Sequence, residues 1–304
     1  MTNTSQQRTV QPDRPVDPLL VDILRRVDAA TRELSIEYFV GGALARDLIL
    51  FHVFGRHTGR ATRDVDLGIH IDDWTTLDTL KTHLIRDGVF SEKAGVAHRL
   101  IYDAHDAAFG IPLDLLPFGG VESTDGTIAW PPGMEILMSV AGFVEARQSA
   151  MMVGVTDDVC ISVASLPALA ILKLIAWRDR HLETTKDAAD FLLIARNYCD
   201  AGNLDRLYDA ETALMQAADF DPELAGAMLL GKDAAQICQP HTTQAVTVIL
   251  TDVGLRQQLI SQLLRATLSV GDDAGSSRAE RYLNAFQSGL TTVATKKPER
   301  RRTR

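Results

Sequence analysis

The sequence predicts an α+β fold in which a small mixed β-sheet domain is followed by an α-helical domain. Two observations support this prediction. Up to about residue 163, short apolar runs end in turn residues, as strands do, with a few helical segments between them. Beyond that residue, nearly every segment carries apolar residues at helical spacing. Strands and helices are therefore segregated along the chain, unlike the alternation of a regular βαβ fold.

Composition and charge narrow the class of protein. The chain has 304 residues, of which 46% are hydrophobic and 23% charged, as is ordinary for a globular protein. It contains no apolar window of about 18 residues, so no membrane span is expected. The net charge of −9 argues against a protein whose whole surface binds nucleic acid. The three cysteines form no CxxC pair and are expected to be reduced thiols.

Both ends of the chain are expected to lie outside the folded domains. Residues 1–15 lack the apolar segment of a secretory signal, so they are predicted to form a disordered leader of a cytoplasmic protein. Residues 289–304 are predicted to be a disordered basic tail, because the last nine residues carry six basic side chains and one acidic one. A helper role of this tail in RNA contact is the alternative. Residues 16–163 then form the α/β domain, and residues 164–288 form the helical domain.

The elements follow in order. A helix is predicted over residues 16–34, and a strand over 36–40 ends at Gly41-Gly42, a turn that needs freedom in φ. The first domain continues with a helix at 43–53, a basic loop, a strand at 64–71, a helix at 75–87, and strands at 98–102, 111–117 and between 151 and 162. The second domain is predicted to contain helices at 166–180, 184–198, 204–217, 222–230, 242–250, 255–268 and 277–286.

Paired carboxylates stand at the head of one predicted strand. Asp64 and Asp66 are two residues apart, so the strand period points both side chains to the same face. Two neighbouring carboxylates repel each other unless a cation lies between them. Mg²⁺ prefers such oxygen ligands and keeps positions for phosphate oxygens. The pair therefore predicts a platform for Mg²⁺, or Mn²⁺, and a triphosphate, although a DxD tract also arises by chance.

A third carboxylate interrupts another apolar strand. Asp114 lies within IPLDLLPF, where burial of a lone carboxylate would be costly. It either lies on the exposed face of an edge strand or is a third metal ligand beside Asp64 and Asp66. In the second case Asp114 could also act as the base for an incoming hydroxyl.

Phosphate-binding groups are predicted around the glycine turn. Gly41 and Gly42 close a strand and open a helix, where backbone amides bind anions and glycine lets phosphate approach. Arg46 follows one turn later, and Arg63 precedes the first aspartate. The loop between them is basic and suits a triphosphate or an RNA end, or is simply solvated; its basic residues are Arg56, His57, Arg60 and Arg63.

The helical half supplies further candidates. Lys173, Trp177 and Arg180 share one helix face. Lys173 either extends to solvent or reaches a phosphate of the nucleotide. Lys186, Asp187 and Asp190 open the next helix, where acidic residues also suit the helix dipole. The alternative for Asp187 is that it orients Arg180 or Lys173.

The ordered tracts GGALARD, ATRDVDL, IPLDLLPF, LPALAILKLIAWRDR and KDAADF resemble the AbiEii/AbiGii toxin family, a branch of the DNA polymerase β-like nucleotidyltransferases. The resemblance covers roughly residues 36–198. It implies that the helical domain completes the nucleoside triphosphate (NTP) site. Some members transfer nucleotides to the acceptor end of tRNA, and several are toxins paired with an antitoxin. The implied ligands of triphosphate or metal are Gly41, Gly42, Asp64, Asp66, Asp114, Lys173, Asp187 and Asp190.

The chain departs from its relatives in two ways: the interval from Gly42 to Asp64 is longer than in the shortest forms of the motif, and the glycine turn differs. Many of them have Gly-Ser in place of Gly41-Gly42, so this turn lacks a hydroxyl but keeps its backbone amides. Three functions remain open from the sequence. The first is nucleotide transfer to RNA, with toxicity as one form of it. The second is transfer to a small, antibiotic-like acceptor, which the acidic charge favours, and the third is non-catalytic nucleotide binding. The presence of the carboxylates and Lys173 argues against the third.

Overall fold

The computed structural model describes residues 7–59, 62–103, 110–268 and 275–294. The chain divides into two compact units, Met1–Leu172 and Lys173–Arg304. The first unit contains the sheet and the second is helical, which confirms the predicted α+β class. The division lies within one helix, nine residues beyond the predicted boundary at 163.

The first unit is built on a mixed sheet. Its described strands are β1 (Arg8–Thr9), β2 (Glu37–Val40), β3 (Val65–Ile71), β4 (Phe90–Glu92), β5 (Arg99–Tyr102), β6 (Ile111–Gly119), β7 (Thr127–Ala129), β8 (Leu137–Ser139), β9 (Met151–Gly154) and β10 (Cys160–Val163). Eight of them form one sheet in the order β1-β9-β10-β2-β3-β6-β5-β4, and β7 pairs with β8. The central strands β3 and β6 are parallel and nearly continuously apolar, as strands covered on both faces are.

Helices of the first unit are α1 (Pro18–Glu33), α2 (Gly42–Asp47), α3 (Trp74–Ile85), α4 (Phe143–Gln148) and the start of α5 (Leu166–Arg180). The side chain of Asp17 caps α1 and Pro18 occupies its first turn, two features that favour a helix start there. The helix predicted at 43–53 is found, but its second half, Leu48–Val53, is π-helical. The short elements α4, β4, β7 and β8 were not predicted.

The predicted leader is ordered where the structure describes it. Arg8 and Thr9 pair in parallel with β9, and Val10 is buried. The disorder predicted for residues 7–15 is therefore wrong, because backbone pairing and an apolar side chain hold this segment on the sheet. Residues 1–6 lie outside the described residues.

The second unit contains the end of α5 and the helices α6 (Lys186–Asn197), α7 (Leu204–Asp209), α8 (Thr212–Ala217), α9 (Pro222–Ile237), α10 (Pro240–Thr251), α11 (Val253–Leu268) and α12 (Gly275–Ala294). The single helix predicted at 204–217 is two helices, because the chain turns at Glu211, whose carboxylate binds Lys232 at 2.6 Å. Among the described helices, none combines the length and apolar character that crossing a bilayer requires.

The predicted tail begins later than expected. Residues 289–294 belong to α12, and Leu290 is buried, so disorder is wrong for this part of the segment. Leu290 anchors the last turns of the helix in the core of its unit. Residues 295–304 lie outside the described residues.

Candidate active site

Three neighbouring strands of the first unit present charged side chains in a row. Asp66 on β3 lies opposite Asp114 on β6, and Arg99 on β5 lies opposite Asp114 from the other side. Residues opposite one another on adjacent strands project from the same face of the sheet. The two predicted carboxylates are therefore brought side by side by strand register, and Asp64 lies two residues ahead of Asp66 at the exposed start of β3.

Arg99 holds the Asp114 carboxylate through two hydrogen bonds. Its Nε donates to Oδ1 at 2.6 Å and its Nη2 donates to Oδ2 at 2.7 Å. Such a paired contact accounts for a carboxylate that is only 8% exposed within an apolar strand. The alternative of an exposed face on an edge strand is wrong, because Asp114 is buried on β6, which lies between β3 and β5. Arg99, which the sequence argument did not identify, supplies the charge that compensates this burial.

The cationic character of Arg99 is reinforced by all of the carboxylates. The hydrogen bond to Asp114 raises the pKa of Arg99 most, and the charges of Asp64 and Asp66 raise it further. The three acidic groups thus all stabilise the same cation, the Arg99 guanidinium. The adjacent His98 lies with Nε2 4.0 Å from Asp114 Oδ2, and burial lowers the pKa of its imidazole although Asp114 opposes this.

The glycine turn is packed directly against the aspartate strand. The Gly41 amide donates to the Asp66 carbonyl at 2.8 Å. Gly42 adopts φ +61°, and a Cβ added there would lie 1.8 Å from Asp66 Oδ2. The Asp66 carboxylate therefore fills the space that a serine side chain would need, which explains why this turn carries a second glycine.

The predicted cations around the turn have different environments. Arg46 is 1% exposed, and its Nε and Nη2 donate to the buried Asp47 at 2.8 and 2.6 Å. Arg46 thus lies in the interior, and its contact with the triphosphate stays a prediction. Arg56, His57 and Arg63 are exposed, in keeping with a basic loop, whereas Arg60 lies outside the described residues.

The donor set fits a hard divalent cation. Asp64 and Asp66 offer carboxylate oxygens at one end of β3, and Asp114 is their neighbour on β6. Within the described ranges no three acidic, histidine or cysteine side chains form a closed metal cage, and both Asp114 oxygens bind Arg99. The metal roles of Asp64, Asp66 and Asp114 stay predictions.

The second unit gathers the other predicted residues into a buried ionic cluster. Lys173 Nζ lies 3.1 Å from Asp187 Oδ1 and 2.7 Å from Asp190 Oδ2. Arg180 donates to both Asp187 oxygens, at 2.6 and 2.9 Å. The alternative that Asp187 orients Lys173 and Arg180 therefore agrees with the geometry.

Burial opposes the ionisation of Asp187, but Arg180 and Lys173 outweigh it and hold the pKa of this carboxyl below its usual value. The Arg180 side chain remains 52% exposed, and Lys186 lies exposed at the start of α6. These two cations could still meet an anionic ligand. Whether the cluster binds nucleotide stays a prediction.

A glycine turn packed on a DxD strand, with a third aspartate on the neighbouring parallel strand, is an arrangement that suits a nucleotidyltransferase. The family described as "Nucleotidyl transferase AbiEii toxin, Type IV TA system" matches residues 23–239, well over half of the chain, so the chain belongs to this family. The match confirms the resemblance seen in the motifs and extends it at both ends. Enzymatic nucleotidyl transfer is thereby supported over a non-catalytic role.

Solved structures are similar at low identity. An antigenic nucleotidyltransferase-like protein from Paracoccidioides brasiliensis is 16% identical over 68% of this chain and 93% of its own, with a TM-score of 0.41. The antibiotic-resistance factor ANT(2'')-Ia is 18% identical over 67% and 98%, with a TM-score of 0.36. A CCA-adding enzyme is 12% identical over 96% and 87%, with a TM-score of 0.31. No curated protein sequence matches the chain.

Proposed function

We propose that the protein transfers a nucleoside monophosphate from an NTP to a hydroxyl at the end of an RNA, with tRNA as the first candidate. The observation that carries this proposal is the register of β3 and β6, which sets Asp66 beside Asp114 while Asp66 packs on the glycine turn. The triphosphate and the attacking hydroxyl would therefore meet at one edge of the sheet.

The chain's own residues have distinct parts in this reaction. Asp64 and Asp66 would hold Mg²⁺ or Mn²⁺, and the amide of Gly42 would face the triphosphate, since the amide of Gly41 is bound to the Asp66 carbonyl. When bound, the cation neutralises phosphate charge and stabilises the phosphoryl group in transfer. Asp114 accepts the proton of the acceptor hydroxyl as the hydroxyl oxygen forms a bond to the α-phosphorus. The bond from the α-phosphorus to the bridging oxygen breaks, and pyrophosphate leaves with the electron pair.

Asp114 can serve as a base while it is held by Arg99. An ionised carboxylate offers about four lone-pair positions, of which the two hydrogen bonds from Arg99 use two. Arg99 fixes the orientation of the carboxylate and leaves positions for the hydroxyl. Arg99 is therefore a positioning residue for Asp114.

An RNA acceptor is supported by the family's description as a toxin and by the exposed cations of the basic loop. Arg56 and Arg63 both precede β3 along the chain, and their cationic side chains suit a phosphate backbone. A partner antitoxin follows from the same family description. Expression of the protein alone should then arrest growth, and co-expression of a neighbouring antitoxin-like reading frame should relieve the arrest.

The test is incubation of the purified protein with Mg²⁺, total cellular RNA and each labelled NTP in turn. We expect label in a small RNA fraction with the wild type and none with the Asp64→Ala, Asp66→Ala double variant. Asp87→Ala is the matched control, because Asp87 is exposed and pairs with Arg86 away from these strands. Full labelling by the double variant would overturn the carboxylate assignment, and labelling of an aminoglycoside but no RNA would favour the small-molecule acceptor.

A further inference from the structure

A groove of about 1000 Å³ opens on the first unit next to Asp114. One wall is the connection from β4 to β5, which ends at His98, and the other is the segment from Trp130 to Met138. Lys81 and Lys93 also line it. None of these residues has a part in the reaction described above.

A row of aromatic rings connects the groove to the carboxylates. The ring of Trp130 lies 5.3 Å from that of Trp74 and 5.5 Å from that of His98. His98 Nε2 is in turn 4.0 Å from Asp114 Oδ2. A molecule lying in the groove with one end at His98 would therefore place that end beside the carboxylate proposed to act as the base.

The lining has the character of a site for a flat, anionic ligand. Its surface is mainly apolar, and Ile136 stands 68% exposed at its wall. Its charged members are two lysines and one glutamate, and Glu92 is already bound to Lys81 at 3.0 Å. An amino sugar with several ammonium groups would find no further carboxylate among the lining residues. A nucleobase and its phosphate match the apolar walls and Lys93.

We propose that this groove binds the terminal nucleotide of the RNA acceptor. Its base packs between Ile136 on one wall and His98 on the other, a phosphate lies near Lys93, and the ribose hydroxyls point toward Asp114. This inference rests on the proposed function and adds the position and chemistry of the acceptor subsite.

Ile136 and Lys93 are exposed, so they can be substituted without disturbing the core. Ile136→Asp places a negative charge on the apolar wall, and Lys93→Glu reverses a lining charge. Leu182→Asp and Arg86→Glu are matched controls, because Leu182 is 86% exposed, the Arg86 side chain is 65% exposed, and neither lines the groove. Circular dichroism melts establish that all four variants fold.

The first measurement is fluorescence anisotropy of a labelled single-stranded RNA in EDTA without NTP, so binding is read apart from catalysis. We expect each groove variant to weaken RNA binding about tenfold, as the loss of one base contact does, and each control to match the wild type. In the transfer assay, the KM for RNA should rise by the same factor while the KM for NTP stays constant.

The outcomes separate this inference from the proposed function. RNA transfer by the wild type, together with unchanged RNA affinity in both groove variants, would overturn the groove assignment and leave the RNA acceptor in place. If the wild type neither binds nor labels RNA, both ideas fall. Loss of RNA binding in the groove variants, with intact NTP affinity, supports both.

Discussion

The turn at Gly42 has no room for a methyl group beside the Asp66 carboxylate. In Gly42→Ala the new Cβ would lie 1.8 Å from Asp66 Oδ2, at a backbone φ of +61° that side chains disfavour. We expect transfer to fall at least about a hundredfold, because a carboxylate displaced by about 1 Å loses its productive geometry. Steady-state kcat with saturating NTP measures this loss.

The control for this variant separates backbone strain from the clash. Gly88 has a similar φ of +71°, but a Cβ there meets nothing within 4 Å. Gly88→Ala should therefore cost stability, about 1 kcal/mol, and leave kcat unchanged. Equal kcat in the Gly42→Ala and Gly88→Ala proteins would contradict the close packing of Gly42 on Asp66.

A second residue prediction concerns the pH dependence of stability. The folded pKa of Asp187 lies below its usual value although burial opposes this, because Arg180 and Lys173 bind the carboxylate. The ionised Asp187 therefore contributes to the free energy of unfolding above the unfolded pKa of about 3.9, and this contribution is lost as the pH falls through the folded pKa. Asp187→Asn should destabilise the protein by about 3 kcal/mol at pH 7, and the difference should shrink below about pH 4. Denaturant melts across pH measure it.

The exposed Asp205 provides the comparison for Asp187. Asp205→Asn should change the free energy of unfolding by less than about 0.5 kcal/mol, as surface substitutions usually do. A pH-independent difference between wild type and Asp187→Asn would show that the carboxylate is not ionised in the folded protein.

Residue identities predicted the acidic side of the site better than its cations. Asp64 and Asp66 could be predicted as a pair from the sequence, because the period of a strand alone places them on one face. Arg99 was missed, because its contact with Asp114 depends on the register of β5 against β6, which no spacing in the chain reveals. The burial of Arg46 was also not predicted, and the carboxylate that compensates it belongs to the adjacent residue, Asp47.

At the scale of elements, α9 and α12 pack extensively against each other in the second unit. Their backbones approach closely where Gly231 and Gly289 lie. A Cβ on Gly289 would be 1.8 Å from the Met228 carbonyl oxygen, which is backbone and cannot rotate away. Gly289→Ala should destabilise the protein by at least about 2 kcal/mol through overpacking, measured by chemical denaturation.

Gly254 in α11 is the matched control for Gly289. Its nearest neighbour to an added Cβ is Asp252 Oδ1 at 3.4 Å, so the methyl group has room. Because alanine favours helix over glycine, Gly254→Ala should be neutral or stabilising by up to about 1 kcal/mol. Similar losses in both variants would argue that helix propensity, not the contact between α9 and α12, governs them.

Long periodic elements were predictable and short ones were not. The helices α1, α5 and α11 each extend over at least fifteen residues, so their apolar spacing repeats several times. The helix α9 extends to Ile237, seven residues beyond its predicted end. The strands β4, β7 and β8 have three residues each, too few to show an alternation. The two-residue β1 is recognisable by its pairing with β9, which is a contact between distant parts of the chain.

At the scale of the whole molecule, the candidate metal ligands all belong to one compact unit. Asp64, Asp66 and Asp114 lie within Met1–Leu172, and the second unit has a core of its own. Scanning calorimetry should therefore show two unfolding transitions. Mg²⁺ should raise the midpoint temperature of the transition that belongs to the first unit. At a hundredfold excess over its dissociation constant, Mg²⁺ should increase that unit's free energy of unfolding by about 2.7 kcal/mol.

The variant for the calorimetric prediction is again the double change at Asp64 and Asp66. It should keep both transitions and lose the Mg²⁺ response, whereas the Asp87→Ala control should keep it. A single transition would mean that the units unfold as one body, and a response of both transitions would mean that Mg²⁺ also binds outside the carboxylate strands.

The packing of Gly42 on Asp66 also bears on how this sequence can change over generations. Every replacement of Gly42 adds a Cβ that clashes with Asp66, and every smaller residue at position 66 removes the carboxylate. A single substitution at either position is therefore expected to impair the enzyme. A lineage that keeps its chemistry is therefore expected to inherit the two residues as a pair. A branch that gains serine at position 42 is expected to have rebuilt the turn first.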